Sequence, residues 1–206
     1  MVTVVLSPRS EQKRQQILQA AGELFCEQGY AISMDAIAVK AQVSKQTVYS
    51  HFKTKDELFE TCIKAKCSEN QLDGRLVDDP RPIREVLCDF AFSFQSMLLT
   101  KEAQHTYKTA ISQRDSHPQL AKVYLSAGPK ATADMLADYI QYFIDKGVLN
   151  VPIPVHEAAM QLLLMWHGRI VYWSYLGEDN EETEEDRRTY LNSCVDLFLA
   201  GYEVKA

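Results

Sequence analysis

The chain has 206 residues, of which 46% are apolar and 24% charged, with 8 Gly and 7 Pro. That length can bury a substantial core, and so few glycines and prolines exclude a collagenous, linker-like or turn-rich β chain. The net charge of −6 conceals an asymmetry: residues 1–55 hold seven Lys or Arg against four acids, and the remainder holds 15 basic against 24 acidic residues.

A basic end on an acidic body suits an encounter of that end with a polyanion, although a charge run is more often a solvated face. No apolar run approaches the roughly 18 residues that cross a bilayer. At the amino end MVTVVL runs straight into Ser7, Pro8 and Arg9, with no charged leader or cleavage-like site. The five cysteines are odd in number, scattered and without a CxxC pair, which points to thiols in a reducing compartment. A soluble cytoplasmic protein with no membrane partner is expected.

The hydrophobic period is helical almost throughout. Ile17, Ala20, Ala21, Leu24 and Phe25 form one stripe from Ser10 onward, and Gly29 is placed to end that helix. Ser33 can cap a short second helix with Asp35 in its first turn and Ile37, Ala38 and Ala41 inward. Ser44 can cap a third, and Thr54–Glu57 reads as a capping box opening a fourth that carries Leu58, Phe59, Cys62 and Ile63.

After a polar stretch at 72–81 the period resumes through Leu87, Phe90, Phe94 and Met97. Further helices are expected near 103–112, 118–127, 129–146, 154–176 and 184–202, the acidic run 177–186 being a solvated loop. No segment alternates with period two for long enough to require a sheet. The fold class is all-α.

Two short helices separated by Gln42-Val43-Ser44, the second opening polar and basic, make a helix-turn-helix. Val43 and Val48 can anchor it, which leaves Lys45, Gln46, Thr47, Tyr49, Ser50 and His51 on or near outward faces. Gln can read adenine bidentately, Thr and Tyr can meet a thymine methyl or a phosphate, and Lys supplies charge or reads guanine. Lys55, in the first turn of the next helix, can grip a phosphate beside main-chain N–H groups.

The run Gly29-Tyr30…Ser33-Met34-Asp35-Ala36-Ile37-Ala38…Ala41-Gln42-Val43-Ser44-Lys45-Gln46-Thr47-Val48-Tyr49-Ser50-His51-Phe52-Lys53-Thr54-Lys55-Asp56-Glu57-Leu58-Phe59 closely resembles the amino-terminal signature of TetR-family transcriptional regulators. The resemblance covers about Gln12 to Ile63. It implies a homodimer on double-stranded DNA, a helix-turn-helix domain over 1–60, and a helical ligand-binding and dimerisation domain over 61–206. It also implies repression relieved by a small-molecule inducer; separately, five dispersed His and five dispersed Cys give no metal quartet at a recognisable spacing, and no cofactor or metal is expected. By the same resemblance Thr47, Tyr49, His51 and Lys55 match family positions that contact DNA. With Ser33, Ser44, Lys45 and Gln46 they form the candidate DNA-binding set. Two residues depart from the pattern. Gln42 stands where the family turn usually has Gly, and Gln46 where a small residue is frequent.

Farther on, Ser116-His117-Pro118-Gln119-Leu120…Ala127-Gly128-Pro129 resembles the ligand domain of the AefR-like or AcrR-like branch. The body is rich in aromatic residues, most of them ordinary core or dimer contacts. The candidate pocket residues are Phe90, Phe94, Met97, His105, Tyr124, Trp166, Arg169 and Trp173, which suit a largely apolar or aromatic ligand. Trp166, Ile170 and Trp173, with Leu191, Val195, Phe198 and Tyr202, repeat at helical spacing as a dimer seam, the alternative being packing within one subunit.

Catalytic motifs are absent from the sequence. His156-Glu157-Ala158-Ala159-Met160 misses the metalloprotease pattern because Met160 stands where the second histidine is needed. No nucleophile elbow, P-loop or dinucleotide-binding glycine pattern occurs. A helical enzyme or carrier, or a thiol-based redox sensor, is the rival reading.

Overall fold

The computed structural model describes residues 7–69, 76–178 and 181–204. The MVTVVL segment, residues 70–75 of the polar stretch, Asp179 of the acidic run and the Cys67 side chain lie outside the described residues. The helices are α1 (Pro8–Gln28), α2 (Met34–Lys40), α3 (Lys45–His51), α4 (Lys55–Glu69), α5 (Ile83–Leu98), α6 (Lys101–Ser112), α7 (Pro118–Leu125), α8 (Ala131–Asp145), α9 (Val155–Tyr175) and α10 (Glu184–Tyr202). Among the described residues there is no strand, only an isolated bridge between Leu149 and Glu203. None of their helices is long and apolar enough to cross a membrane.

Local chemistry explains where the first helices start and stop. The Ser7 hydroxyl accepts from the N–H of Ser10, with Pro8 in the first turn, and Gly29 at φ 73° ends α1. Ser33 Oγ accepts from Ala36 N–H at the start of α2, and Ser44 Oγ from Thr47 N–H at the start of α3. Thr54 Oγ1 accepts from Glu57 N–H as the capping box requires, but the Glu57 carboxylate reaches one residue farther back, to the N–H of Lys53. Gln42 has φ 54°, the one positive φ outside glycine among the described residues. The turn therefore keeps the backbone of the family glycine while carrying a side chain.

The chain divides into two compact units, one of Met1–Lys66 with His105–Ala127, the other of Cys67–Gln104 with Gly128–Ala206. This differs from the expected boundary at residue 60. The reason lies in the first core, where Leu120 and Val123 of α7 are buried with Ile17, Leu24, Phe25, Ile37, Val48, Phe52 and Phe59. The core shared by α1 to α4 is completed by apolar surface from α7.

In the second unit α5, α9 and α10 pack on one another, with α8 against α9. Their shared core holds Phe90, Phe94, Leu136, Leu162, Trp166, Ile170, Leu191, Val195 and Phe198. The expected dimer seam is corrected here. Trp166, Ile170, Leu191, Val195 and Phe198 are all buried within the chain, and of the seam only Trp173, at 44%, is substantially exposed. The periodicity marked the inward face of each helix, as the alternative held. The outward faces carry Met160, Leu164, Tyr172, Leu176, Tyr190 and Leu197.

Helix α9 is not continuous. Gly168 adopts φ 60° and ψ 176°, a conformation open almost only to glycine. A break frees main-chain carbonyls, and each must find a donor if buried. Met165 O accepts from Tyr190 Oη of α10, and Trp166 O from Gln95 Nε2 of α5. Gln95 is fully buried, and its own oxygen accepts from Arg187 Nε at 2.8 Å.

Candidate nucleic-acid interface

Helix α3 is fixed from beneath. Val48 and Phe52 are buried, and α1 and α2 both pack against it. With one face so held, Ser44, Lys45, Gln46, Tyr49 and Ser50 are exposed, and Thr47 and His51 half-exposed. Thr47 is drawn into the cap, its hydroxyl 2.8 Å from Ser44 Oγ. The amide of Gln46 and the phenol of Tyr49, 43% exposed, are open to a partner. Ser33 is an exposed cap at the start of α2.

Charge is partly pre-committed. The Lys45 ammonium lies 2.8 Å from the Asp35 carboxylate, which raises its pKa through the hydrogen bond and the opposite charge. Both partners are well exposed, so the pair is weak, and a phosphate can take the place of Asp35. Arg14 of α1 packs its guanidinium 5.0 Å from the centre of the Phe52 ring, keeping its charge close to the end of α3.

Lys55 has partners within its own unit. Its ammonium donates to the carbonyls of Tyr30 at 2.7 Å and Ile32 at 2.9 Å, and sits 4.2 Å from the centre of the Tyr30 ring. Partial burial lowers its pKa, against the pull of the neighbouring Asp56. The Tyr30 hydroxyl in turn donates to Asp56, and burial followed by that carboxylate raises the phenol pKa. The donors expected to meet a phosphate are thus engaged inside the unit. Tyr30 and Asp56 were not singled out from the sequence, because partners 25 and 26 residues apart leave no local spacing to read.

The expected pocket residues are drawn from both units. Phe90, Phe94 and Trp166 share the second core, Phe90 and Trp166 with ring centres 5.9 Å apart and Met97 packed at its margin. Arg169 and Trp173 lie on the outside, the guanidinium 5.4 Å from the indole and paired with Glu182 at 2.8 Å. His105 and Tyr124 belong to the first unit, where Tyr124 stands 6.2 Å from Tyr107. Within the second core the Trp166 Nε1 donor is buried without a hydrogen-bond partner.

Three of the thiols are poorly suited to redox sensing. Burial pushes the Cys62 thiol up to about 12, and also raises Cys88 and Cys194, so each holds its proton at neutral pH. Among the described residues no group of His, Cys, Asp and Glu could hold a metal ion.

Comparison with known proteins agrees with this geometry. Residues 17–62 match the family of bacterial regulatory proteins named for tetR, and residues 85–204 match the C-terminal domain of AefR-like transcriptional repressors. The flavonoid-responsive regulator FrrA, a solved structure, is 30% identical with a TM-score of 0.75, covering 95% of this chain and all of that one. The transcriptional regulator HbdR of Aromatoleum sp. (strain CIB) is 26% identical over 185 residues, 84% of this chain and 76% of its own length. The transcriptional activator FasR of Mycolicibacterium smegmatis is 51% identical over 53 residues, a quarter of this chain and 24% of its own length. A helix-turn-helix with its reading face exposed, on a chain matched by both family models, identifies a DNA-binding transcription regulator rather than an enzyme, and the chain belongs to the TetR family with a C-terminal domain of the AefR-like kind.

Proposed function

We propose that the protein is a cytoplasmic repressor which binds a near-palindromic operator as a homodimer and leaves it when a small aromatic molecule enters its second unit. The observation that carries the DNA reading is the exposed row Gln46, Tyr49 and Ser50 on a helix whose opposite face is locked by Val48 and Phe52. Ser33, Ser44, Lys45, Thr47, His51 and Lys55 complete the proposed contact set. Two recognition helices related by a two-fold axis would meet half-sites about one turn of duplex apart, roughly 34–36 Å. The exposed faces of α9 and α10, with Leu164 and Leu197 each 66% accessible, support dimerisation through a four-helix bundle.

The ligand reading rests on Trp166. A buried donor without an acceptor is costly, on the order of 1–3 kcal/mol. A flat apolar molecule carrying a carbonyl or phenolic oxygen would satisfy it while stacking beside Phe90. The kinship with a flavonoid-responsive regulator supports that ligand class. Repression is the sign associated with AefR-like domains, although the relative FasR is an activator.

Selection of bound fragments from genomic DNA by the purified protein tests the reading. A recovered motif with two-fold symmetry, released by a flavonoid from the parent but not from Trp166→Phe, is the expected result. Recovery of no common motif would sink the operator reading. Equal release from both proteins would sink the assignment of Trp166.

A further inference from the structure

Trp166 is held from α5 twice. The Phe90 ring centre lies 5.9 Å from that of the indole, and farther along the same helix Gln95 Nε2 donates to the Trp166 main-chain carbonyl at 2.9 Å. In an unbroken helix that carbonyl would accept from the N–H of Ile170. Gly168, at φ 60° and ψ 176°, interrupts the helical backbone between the two residues, and Gln95 supplies a donor from the side. The preceding carbonyl, that of Met165, accepts from Tyr190 Oη of α10 at 2.9 Å. Two consecutive peptide groups at Trp166 are therefore held by side chains of other helices.

Gln95 has its own orientation fixed. It is fully buried, and its Oε1 accepts from Arg187 Nε at 2.8 Å. A guanidinium only donates, so the amide oxygen faces α10 and the amide nitrogen faces α9. Arg187 is held in turn, with Nη2 donating to Ser96 Oγ at 2.7 Å and the guanidinium 4.7 Å from the centre of the Phe92 ring. Its charge polarises the amide and makes the amide N–H a stronger donor. At the far end of this chain the Trp166 Nε1 donor is buried without a partner. From this arrangement we infer that Gln95 is a positioning residue of the ligand site: through the Trp166 main chain it aims the indole N–H, and so sets the preference for ligands with an oxygen acceptor on a rigid frame.

The inference rests on the ligand reading of Trp166. A buried unpaired donor selects in one way: it favours a ligand whose acceptor lies on its line over an analogue that has none. A hydrogen bond weakens steeply once its angle falls below about 120°, so this selection needs the indole aimed before the ligand arrives. The aim comes from the main chain, because the backbone dihedrals govern where a side chain can point. Without the Gln95 bond, the peptide group after Trp166 is free to turn beside the break and the indole takes a spread of directions. Selection for the acceptor then fades while apolar contact with Phe90 remains.

The test uses the full chain and two probes: flavone, which carries a ring carbonyl, and flavan, the same skeleton without it. Gln95→Met keeps the length of the side chain and removes the amide. The parent should bind flavone at least about tenfold more tightly than flavan. In Gln95→Met the ratio should fall toward one through loss of flavone affinity, with flavan affinity unchanged. Equal weakening of both probes, or an unchanged ratio in folded Gln95→Met, overturns the inference. The Trp166 indole resonance in a nitrogen–proton spectrum, identified by its loss in Trp166→Phe, should broaden in ligand-free Gln95→Met, and a sharp, unmoved resonance there also overturns it. If Gln95→Met does not fold, Arg187→Met takes its place, because it deserts the amide oxygen from a half-buried position and frees the amide to turn. The ratio should fall there too, and an unchanged ratio overturns the inference. Flavone bound equally by the parent and Trp166→Phe, or by neither, overturns the ligand reading itself.

Discussion

The Gln95 side-chain amide donates to the main-chain carbonyl of Trp166 at 2.9 Å from a position with no solvent exposure. A glutamine so placed is a substitute for a missing helical N–H. It is needed because α9 breaks two residues later, and it passes its own oxygen on to Arg187, whose guanidinium also donates to Ser96 Oγ at 2.7 Å. The break thus stands inside a satisfied polar chain rather than among unpaired groups.

Gly168→Ala tests that break. A Cβ there would approach Tyr190 Cε1 at 3.1 Å, and the backbone conformation excludes alanine. The expected loss is about 1–3 kcal/mol in urea denaturation, with Gln95→Leu losing a similar amount through two deserted partners. An unchanged midpoint for Gly168→Ala would mean that α9 runs straight in solution.

Gln42→Gly should do the reverse. Relief of the left-handed backbone is worth about 1–2 kcal/mol, and the greater freedom of glycine in the unfolded chain takes back about half of that. A rise in stability approaching 1 kcal/mol is expected, read from the denaturation midpoint. A fall of the same size would show that the Gln42 side chain makes a stabilising contact in solution.

Leu197→Glu should weaken the proposed homodimer, because it sets a charge on the exposed face of α10. Sedimentation of Leu197→Glu as a folded monomer at micromolar concentration is the expected outcome. Unaltered dimerisation would move the interface away from α9 and α10.

His167 makes stability depend on pH. Burial lowers its pKa below the ordinary 6.5, with the Gly168 main chain acting in the opposite sense. The folded chain therefore resists protonation that the unfolded chain accepts. Stability contributed by the neutral ring is complete above about pH 6.5 and declines as pH falls below it. Denaturation at pH 8 and pH 5 should show a smaller decline in His167→Phe than in the parent, and equal declines would refute the assignment.

The amino-terminal third was legible because its signals are local. Ser33, Ser44 and Thr54 sit within three residues of the N–H groups they cap, and Val48 falls on the inward period of a seven-residue helix. The body was legible as helices but not as surfaces. A stripe such as Leu191, Val195 and Phe198 records that one face is apolar, and the same stripe serves a subunit core or a dimer seam. The contacts of Lys55 and Gln95 within the chain were missed because their partners lie 25 and 71 residues away, beyond the reach of any periodicity. Gly168 carried a usable signal, an isolated glycine inside a helical pattern.

The discontinuity of the first unit has a consequence for biosynthesis. Its core is complete only when Leu120 and Val123 have left the ribosome, after all of residues 67–104 has been made. Until then the nascent helix-turn-helix exposes the apolar surface that α7 will cover, and the loop to be closed is long for a unit of local helices. Acquisition of DNA-binding competence during translation should accordingly lag well behind emergence of α3, so that a regulator stalled before α7 is not a competitor for the operator.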